Sequence, residues 1–146
     1  MLEPNSSNRQ EIDAVEGIDC DIQMPSAWTD FFDRRGPMPV VITDERRFPR
    51  YYFRKRAVLK HGKKLSKVYT KDISRDGLSF LHSRQLYPCT EVLVWLSSEQ
   101  CVHLAVARCL RVRDCCYECG GRAASSDDQA ELESILRQLI AEGARG

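Results

Sequence analysis

No part of this sequence is long and apolar enough to cross a membrane as a helix. The longest uninterrupted apolar run covers residues 92–96, against the roughly 20 residues that a bilayer-spanning helix needs. The first ten residues lack a basic stretch followed by an apolar one. No secretory signal is read there, and the expected compartment is the cytoplasm. Histidine is scarce, with three in the chain. None of His61, His82 and His103 stands in a motif with a serine or cysteine nucleophile, so no catalytic residue is assigned and the chain is read as a non-enzyme. A dominant overall charge is also missing. The formal net charge is +1, so no DNA partner is expected. With 146 residues, the chain has room for one core of ordinary size.

The near-neutral total conceals a segregation of charge. Residues 1–33 hold eight acids against one base, Arg9. Residues 46–75 hold twelve Lys or Arg and a single acid, Asp72. Residues 1–23 are poor in apolar side chains and are read as an acidic, disordered leader, one able to fold back over the basic block when no ligand is bound. Residues 24–43 are read as a short helix and linker, with the helix at 26–35. Ser26 serves there as N-cap, Trp28, Phe31 and Phe32 form one aromatic face, and Gly36, Pro37 and Pro39 end it.

From residue 51 to 122 the pattern is β. Strands are predicted at 51–60, 65–71, 78–81, 91–96 and 101–113, with turns at 61–64 and at Asp76-Gly77. Val102, Leu104, Val106, Leu110 and Val112 alternate onto one face. Arg108 interrupts that face and marks a bulge or an edge. Trp95 is read as core. Residues 124–146 hold a helix and tail. Leu132, Ile135, Leu136, Leu139 and Ile140 give a helical stripe over 127–142, Ser126 and Gln129 have capping-box spacing, and Gly143 ends it. That stripe suits either capping a barrel or pairing with a second copy in a homodimer.

Seven cysteines, an odd number, fall mostly in strand-like segments. In a reducing compartment they read as free thiols. Cys116-x-x-Cys119, with Cys109 and Cys115 nearby, has metal-knuckle spacing. No second knuckle exists, however, and no metal is assigned.

Two motifs carry the chemistry. Arg46-Arg47-Phe48-Pro49-Arg50 contains R-x-x-x-R, and Asp72-Ile73-Ser74-Arg75-Asp76-Gly77 is D-x-S-x-x-G. A β-hairpin separates them. Each is weak alone. In this order and at this separation they resemble the PilZ family over about residues 44–123, with further likeness in Leu78-Ser79-Phe80-Leu81, Leu86-Tyr87-Pro88 and residues 117–122. The resemblance implies a mainly β fold, a six-stranded antiparallel barrel, here with a short N-terminal helix and a C-terminal amphipathic helix. It also implies a receptor for cyclic di-GMP that needs no cofactor. The family's binding residues map onto Arg46, Arg50, Asp72, Ser74 and Gly77, and Arg47 is an added phosphate contact. The sequence departs from the family at Ala123, where an aromatic residue is common, and at Cys89, where a glycine is.

The residue types suit such a ligand. A guanidinium fork matches phosphate oxygens or guanine O6 and N7. An ionised Asp72 accepts from guanine N1–H and N2–H. Ser74 offers a hydroxyl, and Gly77 either supplies positive φ or permits close ligand approach. The expected mechanism has the arginine segment close on the ligand and alter a surface read by an unidentified effector protein. Two other readings fit the same block: a PilZ-like interaction module that binds no ligand, and an electrostatic binder of RNA or anionic surfaces.

Overall fold

The computed structural model describes residues 21–39 and 48–145. Most of the acidic leader lies outside the described residues, as do Arg46 and Arg47. Seven strands and one helix follow in order: β1 Tyr51–Tyr52, β2 Arg56–His61, β3 Lys64–Ile73, β4 Gly77–His82, β5 Glu91–Ser97, β6 Gln100–Arg113, β7 Cys116–Ala123 and α1 Ser126–Arg145. The sheet order is β1-β3-β2-β5-β6-β7-β4, and β4 also pairs with β3. Strands β2 to β7 therefore form a closed, six-stranded antiparallel barrel. β1 and β2 lie end to end along one edge of β3, since Tyr51 and Tyr52 face Ile73 and Asp72 while Arg56–His61 face Tyr69–Lys64. What reads as one strand over 51–60 is thus broken at 53–55.

Alternation fills the interior. Leu59, Val68, Phe80, Val94, Val102 and Leu104 are all fully buried in one cluster. Each such side chain contributes about 1.5–3 kcal/mol by leaving water. Gly62, at φ +61°, makes the tight β2–β3 turn a residue with a side chain would resist. Leu132, Ile135 and Leu136 of α1 join the interior cluster, so the helix caps the barrel while Ile140 stays exposed. The cap lies one residue earlier than the spacing of Ser126 and Gln129 suggests. Ser125 Oγ accepts from Asp128 N at 3.2 Å and donates to Asp128 Oδ2 at 2.6 Å. Asp128 Oδ1 accepts from His103 N at 2.9 Å, tying the helix start to β6. At the other end the helix runs through Gly143, beside which there is open space.

Two further expectations are corrected. Residues 26–35 form no α-helix. They make successive turns and a single 3-10 turn at Phe31–Asp33, with Phe31 N bonded to Trp28 O and Asp33 N to Asp30 O. Between Pro25 and Gly36 there is too little chain to offset the cost of nucleating an α-helix. The aromatic face survives, because i and i+3 coincide in both helix types. Phe31 is buried, with Ile22, Leu81 and Cys116, in a second small core on the outside of the barrel. The other correction concerns β6. Its register shifts between Val106 and Arg108, so Arg108 does mark a bulge. Beyond it the alternation is offset, and Leu110 is 56% exposed instead of lining the core. Trp95 is buried, but in an outer satellite with Val58.

Candidate functional site

The site begins with a break in a ladder. Along β3, Val68 and Thr70 point inward, and strict alternation would send Asp72 into the barrel too. Instead the register against β4 shifts between Thr70, opposite Phe80, and Asp72, opposite Ser79. Lys71 is the extra residue. The bulge turns Asp72 to the outer face, while Ile73 returns inward opposite Leu78. Asp72, Tyr52 and Ser79 consequently share one outward strip across β1, β3 and β4.

Asp72 is nonetheless only 2% exposed, because Arg50 lies over it. Arg50 Nη1 donates to Asp72 Oδ1 at 3.0 Å and to Ser79 Oγ at 3.1 Å. The backbone around Arg50 is held as well. Its carbonyl accepts from Met38 N at 2.8 Å, and Tyr52 N donates to Gly36 O at 2.9 Å. The N-terminal segment thereby pairs with the other side of β1, with Pro37 opposite Tyr51.

The turn from β3 to β4 supplies the rest of the D-x-S-x-x-G motif. Ser74 N donates to Gly77 O at 3.0 Å, and Ser74 Oγ donates to Asp76 Oδ1 at 2.8 Å. The serine hydroxyl is thus engaged within its own turn. Gly77 has no positive φ. A Cβ there would lie 2.6 Å from the carbonyl oxygen of Gly121, so glycine lets β4 start against β7.

Sequence reasoning assigned no role to Arg75 or Arg54. The Arg75 guanidinium lies 4.9 Å from the Phe48 ring centre and 3.3 Å from Glu133 of α1. One side chain therefore touches the arginine segment, the motif turn and the helix. Arg54 sits over the Phe31 ring at 4.1 Å and the Tyr52 ring at 5.0 Å, and donates to the carbonyls of Lys71 and Phe31. Burial lowers its pKa, and Asp72 opposes that shift. Lys71 pairs with Glu118 of β7. Both arginines were indistinct within a block of twelve cations, and only their neighbours set them apart. Arg46 and Arg47 lie outside the described residues, so of the arginine motif only Arg50 is placed beside Asp72.

The cysteine cluster does not converge. Cys116 packs in the outer core and Cys119 in the interior, so the two arms of the C-x-x-C spacing point to opposite sides of β7. Cys119 instead faces Cys109 across the ladder, with sulfurs 3.3 Å apart. Burial raises the pKa of both Cys116 and Cys119. Among the described residues no three His, Cys, Asp or Glu side chains are grouped to hold a metal, and no helix is long and apolar enough to cross a membrane.

Known proteins share this architecture. The family model described as PilZ domain matches residues 44–142. The structure of K. pneumonia MrkH in complex with c-di-GMP is similar over 70% of this chain and 56% of that one, at TM-score 0.56 and 21% identity. MrkH in its apo state is similar over 73% and 55%, at TM-score 0.53 and 22% identity. At such identities the likeness is one of fold, and the chain spans little more than half the length of those proteins. No curated protein matches the sequence.

Proposed function

The chain belongs to the PilZ family, and from that premise we propose that it is a non-catalytic receptor for cyclic di-GMP, bound by Arg46, Arg47, Arg50, Asp72, Ser74 and Gly77. The observation that carries this reading is the Arg50–Asp72 contact on the outer strip beside the motif turn. It sets a guanidinium donor next to a carboxylate acceptor. Those are the complements of the guanine Hoogsteen edge or a phosphate on one side, and of guanine N1–H and N2–H on the other. MrkH, similar in fold, forms a complex with the same ligand.

In the proposed cycle the ligand draws Arg50, together with Arg46 and Arg47, onto its phosphates and guanines, and Asp72 changes partner from arginine to base. Ser74 holds the turn and Gly77 the start of β4. Phe48 moves with the arginine segment. Arg75, which bridges Phe48 and Glu133, passes that displacement to α1, whose outer surface a partner protein reads. The expected compartment is the cytoplasm.

A calorimetric titration with cyclic di-GMP, GTP and a short RNA tests the assignment. Saturable binding of cyclic di-GMP alone is expected, at about micromolar Kd or tighter, which corresponds to roughly 8 kcal/mol. Equal, steeply salt-dependent binding of all three would instead mark an electrostatic surface. Binding of none would leave a protein-interaction module.

A further inference from the structure

Beside the Arg50–Asp72 contact opens a pocket of about 320 Å³, walled by Trp28, Asp30, Arg34, Tyr52, Arg54 and Lys71. Its walls adjoin the proposed site. Tyr52 is the cross-strand neighbour of Asp72, Lys71 precedes it in the chain, and Met38, at the pocket edge, bonds the backbone of Arg50. We infer that this pocket seats a guanine base, so that the N-terminal segment is part of the nucleotide site and not only packing. The inference rests on the cyclic di-GMP reading and extends it to residues outside both motifs.

The chemistry selects a base over a bare anion. A phosphate would use Arg34, Arg54 and Lys71 but would be repelled by Asp30, and it would leave the aromatic walls idle. A purine uses both the aromatic walls and the Asp30–Arg34 rim. Its flat face stacks on Trp28 and on Tyr52, whose ring the Arg54 guanidinium backs at 5.0 Å from its centre. Stacking on aromatic and guanidinium planes is how unpaired bases are held. Within the purines, Asp30 selects guanine. Its carboxylate accepts from N1–H and N2–H, whereas adenine presents a lone pair at N1. Arg34, 3.0 Å from Asp30, is placed beside that carboxylate with a fork that fits O6 and N7. Asp30 and Arg34 are each about half exposed, at 55% and 52%, so the polar rim is open to an incoming ligand.

The test is calorimetry on the full chain with cyclic di-GMP and cyclic di-AMP, read alongside tryptophan emission. Trp28→Ala is expected to weaken cyclic di-GMP binding about tenfold, and Trp28→Phe to restore most of it. Asp30→Asn, at an exposed position that does not threaten folding, is expected to narrow the preference for cyclic di-GMP over cyclic di-AMP about tenfold. Emission is expected to change on saturation in the wild type and not in Trp28→Phe, whose remaining tryptophan, Trp95, is buried. If the wild type binds cyclic di-GMP while Trp28→Ala and Asp30→Asn behave identically to it and emission is unaltered, the inference is overturned and the receptor reading stands. If the wild type binds neither dinucleotide, the receptor reading falls and takes the inference with it.

Discussion

Arg50 reaches across 22 residues of chain to Asp72, closing to 3.0 Å over a carboxylate that is 3% exposed. The two side chains act as a unit, because removing the arginine leaves a buried charge without its partner. A double-mutant cycle of Arg50→Ala and Asp72→Ala in urea unfolding is expected to show a coupling on the order of 1–2 kcal/mol, reduced from that of a fully buried pair because Arg50 is partly solvated. Arg50→Ala is expected to weaken cyclic di-GMP binding at least about tenfold. A coupling of zero would show that the pair contributes nothing as a pair.

Gly77 gives a prediction of a different kind. Its substitution by alanine puts a methyl group into the carbonyl of Gly121, and backbone there has little room to move without opening the β4–β7 ladder. Gly77→Ala is expected to cost about 1–3 kcal/mol, read as a lowered urea midpoint in the ligand-free protein. An unchanged midpoint would mean that β4 starts with more slack than the geometry has.

Substitution of Arg75 tests binding and the proposed response separately. Its pair with Glu133 is about half exposed on the arginine side, so Arg75→Ala is expected to change stability by less than about 0.5 kcal/mol. Hydrogen exchange is the informative measurement. In the wild type, cyclic di-GMP is expected to slow exchange at residues 48–50 and to alter it in α1. In Arg75→Ala the first effect should persist and the second should vanish. A helix that responds equally in both proteins would place the relay elsewhere.

His82 predicts a pH dependence. Burial lowers its pKa below the usual 6.5, against a smaller opposing effect from the Arg84 backbone. Because the folded form holds the proton less tightly than the unfolded form, its contribution is fully present above about pH 6.5 and is lost as pH falls from there through the folded value. Urea unfolding between pH 7.5 and 5 is expected to show declining stability on acidification, flattened in His82→Gln. A flat wild-type profile would contradict this.

Much of the barrel was legible because its signals are local. The apolar run in 91–96, the alternation in 101–106, and the turns at Gly62 and Asp76-Gly77 each depend on a few adjacent residues. The two bulges fared differently. Arg108 breaks a row of valines and leucines, so its irregularity is visible. Lys71 stands between a threonine and an aspartate, both tolerable on either face, and nothing local tells which residue is extra. The α-helix expected at 26–35 failed for a related reason. Trp28 and Phe31 are neighbours on a 3-10 turn and on an α-helix alike, so their spacing could not choose between them. Arg54 was hidden by its company, being one cation among many until Phe31 and Tyr52 are seen on either side of it.

The gap between β1 and β2 has a consequence for how such a receptor is tuned. The ring of strands is complete through β2, so Tyr51 and Tyr52 are fastened to β3 without being a stave of the barrel. Releasing them breaks a few hydrogen bonds and leaves the ring intact, an opening well below the scale of global unfolding. On the proposed receptor reading, sensitivity to cyclic di-GMP can therefore drift, through substitutions at residues 53–55 or along 36–38, with little effect on the melting temperature. On that reading, the threshold of response and the robustness of the fold are set by separate parts of one sheet.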